Sequence, residues 1–66
     1  IEIEGVVKEV FPGGHFLVTT EAGTKVQAHL AGKLRRYRIR VVLGDRVTVA
    51  VSPYDLSKGR IVFRHR

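Results

Sequence analysis

The chain has no cysteine. Disulfide staples and thiolate metal sites are thereby excluded, and a reducing compartment suits such a composition. No apolar run approaches the ~20 residues that span a bilayer, and no signal peptide is visible at Ile1. Acidic residues are scarce, at six against twelve basic ones, so the net charge is +6. Residues 1–66 are expected to form a single domain. A chain this short buries only about 60% of its unfolded surface, so its core is thin. Stability has to come from a well-closed sheet or from a partner.

What is present is concentrated. The stretch Lys33-Leu34-Arg35-Arg36-Tyr37-Arg38-Ile39-Arg40 holds five basic residues and no acidic one. Without it the chain has seven basic residues against six acidic, a net charge of +1. Residues 1–32 sum to −2 and residues 33–66 to +8. A solvated basic surface is the plain reading of such a chain. Concentration of the charge in one segment favours a face aimed at a polyanion.

The apolar pattern is that of strands. Residues 1–11 begin with Ile1 and Ile3 alternating with Glu2 and Glu4, and Gly5 marks a bulge or tight bend. Pro12-Gly13-Gly14 is a turn. Residues 15–20 put Phe16, Val18 and Thr20 on one face, and after the turn at residues 21–24 residues 25–30 put Val26, Ala28 and Leu30 inward. Connections this short make an antiparallel meander. Residues 31–45 lose the strand period. Leu30, Leu34 and Tyr37 stand at helical spacing, which predicts a helix of one or two turns that has to dock through them. Val47, Val49 and Val51 alternate inward over residues 46–51. Residues 52–59, bracketed by Pro53 and Gly59, read as a loop. The fifth strand is placed at residues 60–64, with Ile61 and Phe63 inward and Arg60, Val62 and Arg64 outward.

Five short strands with a break only between the third and fourth predict an all-β, five-stranded OB-fold Greek-key barrel with a short helix between strands 3 and 4. Closure removes edges and lets a short chain enclose a core. An SH3-like barrel is the competing architecture; the longer insertion after strand three favours the OB-fold.

Catalysis finds no support. No glycine-flanked nucleophile elbow or P-loop occurs, and His15, His29 and His65 lack metal-ligand spacing. The expectation is a non-enzymatic protein without catalytic residues, metal or cofactor. Nucleic acid suits the residues better. The outward set of strands two, three and five is His15, Leu17, Lys25, Gln27, His29, Arg60, Arg64 and Arg66. In OB-folds the face of strands 2 and 3 with its flanking loops binds oligonucleotides. Imidazole and guanidinium planes stack on bases, and Lys and Arg neutralise phosphates. Singly, His29 reads as an ordinary surface histidine, and Arg60 and Arg64 as guards of a strand edge. This outward face carries no aromatic ring, because Phe16 and Phe63 alternate inward. Arginines without aromatic platforms suit a structured RNA with a few splayed bases.

The residues also carry a resemblance. Ala28-His29-Leu30-Ala31-Gly32-Lys33-Leu34-Arg35 resembles the A-H-I-S-G-K-M-R signature of the bacterial translation initiation factor 1 family. Ile39-Arg40-Val41 followed by Gly44-Asp45-Arg46-Val47 resembles the segment that follows it in the family, and Ser52 to Arg64 matches the family's ending nearly residue for residue. Ile1 to Gly5 matches its opening strand, so the resemblance spans essentially the whole chain. The chain departs from that pattern at Ala31 and at Tyr37-Arg38.

The resemblance implies an OB-fold factor in the A site of the small ribosomal subunit. There it would contact ribosomal RNA and a neighbouring ribosomal protein, hold two flipped adenines, block premature tRNA entry and assist the other initiation factors. Carried over by position, its RNA-binding residues are His29, Lys33, Arg35, Arg36, Arg40, Arg46, Arg60 and Arg64, to which the basic stretch adds Arg38. A monomer is expected, in the bacterial cytoplasm or the chloroplast stroma, with no membrane partner. Two other readings remain: a general single-stranded RNA-binding chaperone of the cold-shock type, and a protein-interaction barrel whose charge aids solubility.

Overall fold

Alternating β-branched residues build the strands, because side chains at every second position can share one buried face. The computed structural model describes residues 1–36 and 40–65; of Lys33 it describes only the place in a helix. Strand β1 (Glu2–Phe11) is followed by β2 (His15–Thr20), β3 (Lys25–Leu30), helix α1 (Gly32–Arg36), β4 (Arg46–Ser52) and β5 (Asp55–His65). The sheet closes in the order β1-β2-β3-β5-β4, which is the OB-fold barrel. All neighbouring pairs are antiparallel except β3 with β5.

The core is chiefly branched. Val7, Val18, Val26, Val47, Val49 and Ile61 are fully buried, with Phe16, Ala28 and Val51 beside them. Phe16, Val18, Val26, Ala28, Val47, Val49 and Val51 are inward positions expected for β2, β3 and β4, and Ile61 for β5; Leu30, also expected inward, is half-buried against this core. Thr20, the one polar member among the described residues, bends its hydroxyl back to accept the Thr24 N–H at 3.2 Å, so its burial leaves no unmet oxygen. Helix α1 is a single short turn. It docks through the buried Leu34 and contacts β3 and β5. The expected contribution of Tyr37 falls outside the described residues. Val41, within the stretch that lacks a strand period, is also buried.

Strand β1 serves two neighbours. Its first half pairs with β4 and its second half with β2, with Gly5 and Val6 shared by both. Gly5 sits at this bend because there is no space for more: a Cβ there would lie 2.6 Å from Val18 Cγ1 and 2.7 Å from the Thr19 carbonyl oxygen. The bulge lies farther on, at Lys8, where the register skips between Val7 and Glu9.

Two expectations are corrected. Residues 52–59 are not a loop: Ser52 already pairs with Asp55 around Pro53-Tyr54, and β5 runs from Asp55. Pro53 and Gly59 imitate loop brackets, but Gly59 lies inside the strand, opposite Ala28 on one side and Val51 on the other. A Cβ at Gly59 would come within 2.5 Å of Val49 Cγ1 and 2.8 Å of Val51 Cγ1. Glycine is therefore needed for close approach.

The second correction concerns Phe63, which does not point inward. Val49 pairs with Ile61 but Thr48 pairs with Phe63, so Val62 is an extra residue on β5. This bulge reverses the alternation beyond it: Phe63 is left 53% exposed, and Arg64, expected outward, lies opposite the buried Val47 with its Nε buried.

The turn leading into β4 is braced by two charged side chains. Asp45 Oδ2 accepts the Val42 N–H at 2.9 Å and lies 3.4 Å from Arg64 Nε. Arg64 Nη1 donates to the Arg40 carbonyl at 2.6 Å. The same turn, with Gly44 at φ 90°, joins β1 through Val7 N–H to Asp45 O at 2.9 Å and Gly44 N–H to Val7 O at 2.8 Å.

Gly59→Ala is expected to cost about 1–3 kcal/mol, because the valines have to shift; the urea midpoint of unfolding measures it. Asp45→Ala and Arg64→Ala should prove coupled by on the order of 1 kcal/mol in a double-mutant cycle of unfolding. Strict additivity would mean that the pair does not brace the turn.

Candidate nucleic-acid interface

Register across the barrel brings distant residues into one row. His15 on β2 pairs with His29 on β3, His29 with Arg60 on β5, and Arg60 with Ala50 on β4. At the other end of the row Phe11 on β1 pairs with His15. The next outward row is Leu17, Gln27 and Lys58. Directly opposed residues of an antiparallel pair, such as His15 and His29, hold their Cβ atoms about 4.5–5.5 Å apart on one face, and the β3–β5 register continues the row to Arg60. The two rows therefore present imidazole, amide, ammonium and guanidinium groups together. They line an open groove of about 630 Å³ containing His15, Gln27, His29, Lys58 and Arg60. A smaller hollow, of about 350 Å³, continues along Phe11, His15, Phe16 and Gln27.

The strand that carries Lys58 and Arg60 begins with a carboxylate, Asp55. It accepts two hydrogen bonds from Ser57, from the hydroxyl at 2.5 Å and from the backbone N–H at 3.0 Å. The Ser57 hydroxyl, then its N–H, then the charge of Lys58 hold the Asp55 carboxyl below its ordinary pKa. Lys58, whose charge acts on Asp55, and Arg60 are both exposed. Such a surface can neutralise phosphates with its cations, stack bases on imidazole and phenyl planes, and read base edges through the Gln27 amide. Among the described residues no cluster of three or more His, Asp or Glu side chains could hold a metal ion.

The structure separates the candidate RNA-binding residues into groups. His29 and Arg60 stand side by side in the groove. Arg35 and Arg36 are exposed on α1, the turn that leaves β3 just beyond His29 and is anchored by Leu34. Lys33 has its place in the same helix, and Arg38 lies outside the described residues. Arg40 is exposed, with its carbonyl tied to Arg64. Arg46 lies on the outer face of β4, 3.8 Å from Glu4, in a well-exposed pair. A pair of that kind contributes little in water and exchanges readily for a phosphate. Arg64 differs from the rest: its side chain is 28% exposed and engaged with Asp45 and Arg40. Its buried Nε meets Asp45 as an ion pair, without the geometry of a hydrogen bond.

Sequence reasoning does not bring Lys58, Phe11 or an exposed Phe63 into the site. It places Lys58 in a loop; a strand starting at Asp55 puts that residue on the same face as Arg60, two residues on.

Comparison with known proteins adds to this geometry. The family model described as translation initiation factor 1A / IF-1 matches residues 2–66. The chain is 62% identical over its whole length to translation initiation factor IF-1 of Solibacter usitatus and 56% identical to that of Oenococcus oeni, covering 92% of each. The solution structure of translation initiation factor 1 from the Wolbachia endosymbiont of Brugia malayi superposes with a TM-score of 0.82 at 40% identity. That likeness covers all of this chain and 78% of the other. A shared barrel, an end-to-end family match and relatives more than half identical agree with the motifs at Ala28–Arg35 and Ser52–Arg64: the chain belongs to the translation initiation factor 1A / IF-1 family.

Proposed function

We propose that residues 1–66 act as one RNA-binding unit that occupies the A site of the small ribosomal subunit during initiation. In that position the protein blocks premature tRNA entry, assists the other initiation factors and touches a neighbouring ribosomal protein, without catalysing a reaction. Bacterial cytoplasm is the corresponding compartment, and among the described residues no helix is long and apolar enough to cross a membrane. The observation that carries this reading is the His15–His29–Arg60 row with Lys58 beside it, on a member of a translation-factor family.

The roles divide by position. Arg35, Arg36, Arg40 and Arg46, together with Lys33 and Arg38 of the basic stretch, neutralise phosphates around the rim. His29 and Arg60 meet bases or sugar edges within the groove. Arg64 supports binding indirectly, by holding the turn that carries Arg40 and leads to Arg46.

A general single-stranded RNA chaperone is the second reading, and one observation favours it. The exposed surface does carry phenylalanines, Phe11 at 39% and Phe63 at 53% exposure. Sequence-tolerant binders use such rings as stacking platforms.

Binding of a labelled protein to isolated small ribosomal subunits, titrated with salt, tests the first reading. Arg60→Ala should weaken binding and flatten the dependence of log K on log salt by about one unit, the loss of one phosphate contact. Arg60 has no structural partner among the described side chains, so the variant reads binding rather than folding. Affinity that does not vary with salt would overturn the proposal. Equal affinity for a polypyrimidine oligonucleotide and for subunits would favour the chaperone.

A further inference from the structure

The bulge at Val62 places an aromatic ring where alternation would have put a core residue. Phe63 is 53% exposed in a chain whose core has few large side chains to spare. Its ring is nevertheless held. His65 lies against it, with ring centroids 4.8 Å apart and planes inclined at 47°. His65 Nε2 is in turn 2.7 Å from Thr48 Oγ1 and 3.5 Å from Glu4 Oε1. The support therefore runs through three strands, β5, β4 and β1. It flanks the phenyl ring with an imidazole and leaves more than half of Phe63 open.

The neighbours of Phe63 say what fits there. Thr48 faces it across β4, and Arg46 faces His65 in the same ladder. Arg60, on the same outer surface of β5, joins this area to the groove of His15 and His29. The one acidic residue of the cluster, Glu4, lies 3.8 Å from Arg46 and 3.5 Å from His65, so its charge is balanced locally. Phe and Arg are also common at protein–protein interfaces, so what singles out a nucleic acid here is continuity of the ring, through Arg60, with the basic groove of His15, His29 and Lys58. Ring and groove together match the pattern that binds unpaired nucleotides, a π-face for the base with cations for the adjoining phosphates.

We propose that Phe63, supported by His65, is a stacking platform for an unpaired RNA base, continuing the groove across β5 towards β4. This rests on the RNA-binding reading above and adds to it a ligand position on the β4–β5 surface. The base is recognised by its π-face, so the platform accepts any of the four.

The test uses a short unstructured RNA carrying one 2-aminopurine, whose fluorescence falls when it stacks. Binding by the unaltered chain and by Phe63→Tyr should quench the probe. Phe63→Leu, which keeps an apolar side chain without a π-face, should bind roughly 5- to 150-fold more weakly and lose the quenching, the usual effect of removing one base–aromatic stack. Phe63 is exposed, so all three proteins should give the same amide NMR pattern away from β4 and β5. Unchanged affinity and quenching in Phe63→Leu, with binding lost in Arg60→Ala, would overturn the platform and leave the groove standing. Unchanged affinity and quenching of the RNA with Phe63→Leu, together with loss of binding to whole small subunits, would give Phe63 another contact on the subunit and overturn the unpaired-base platform. Failure of the unaltered chain to bind either the oligonucleotide or small subunits would overturn the RNA reading and the platform together.

Discussion

The barrel depends on how closely β5 can approach the strands on both sides of it. Gly59 is the point of contact: it lies opposite Ala28 in the parallel ladder and Val51 in the antiparallel one, over Val49. A side chain there would hold β5 away from β4, where it would meet Val49, Val51 and the Ala50 carbonyl. The seam between β3 and β5 joins strands far apart in sequence and is the only parallel one among the described strands, so it has no tight turn to enforce it. The candidate binding row is a consequence of the same closure. His29 meets Arg60, and Gln27 meets Lys58, only because Ala28 and Gly59 lie opposite each other between them.

The chain's arginines do different kinds of work, and geometry sorts them. Arg60, Arg35, Arg36 and Arg40 are exposed, which suits contact with a polyanion. Arg64 is directed to Asp45 and to the Arg40 carbonyl, where it ties the turn before β4 to β5. Asp45 accepts the Val42 N–H with the same carboxylate oxygen that faces Arg64. One acidic residue thus shapes its own turn and anchors a cation that would otherwise be counted with the binding surface. Asp55 is similar at the other end of β5, where its carboxylate accepts from the Ser57 hydroxyl and N–H. Against these two acidic residues the second half of the chain carries ten basic ones, so it presents positive charge.

Much of this was legible in the residues. The inward alternation of Phe16, Val18 and Thr20, of Val26 and Ala28, and of Val47, Val49 and Val51 has the period of a half-buried strand, and each of these residues is buried. The helical spacing of Leu30 and Leu34 marks the short turn after β3, and Leu34 is its anchor. The family was legible as well, because the long motif from Ser52 to Arg64 is specific. Less legible was anything that a bulge alters. Period-two reasoning carries a strand's phase forward, and one extra residue at Val62 reverses it for Phe63. Proline and glycine bracket residues 53–59 as they would bracket a loop, but the partner of that segment, β3, lies about thirty residues back and is invisible to a local reading.

The sequence by itself determined the class of the molecule: an all-β barrel with a docked helical turn, a basic second half and membership of a translation-factor family. Those features follow from side-chain period, net charge and motif, all of which are local or additive. Only the tertiary structure decided which cations stay exposed and which brace the fold, that Lys58 joins Arg60 and His29, and that Phe63 looks outward. Each of these depends on register between strands distant in the chain. Register is set by close packing at Gly5 and Gly59 and by bulges at Lys8 and Val62, which are properties of the closed sheet as a whole.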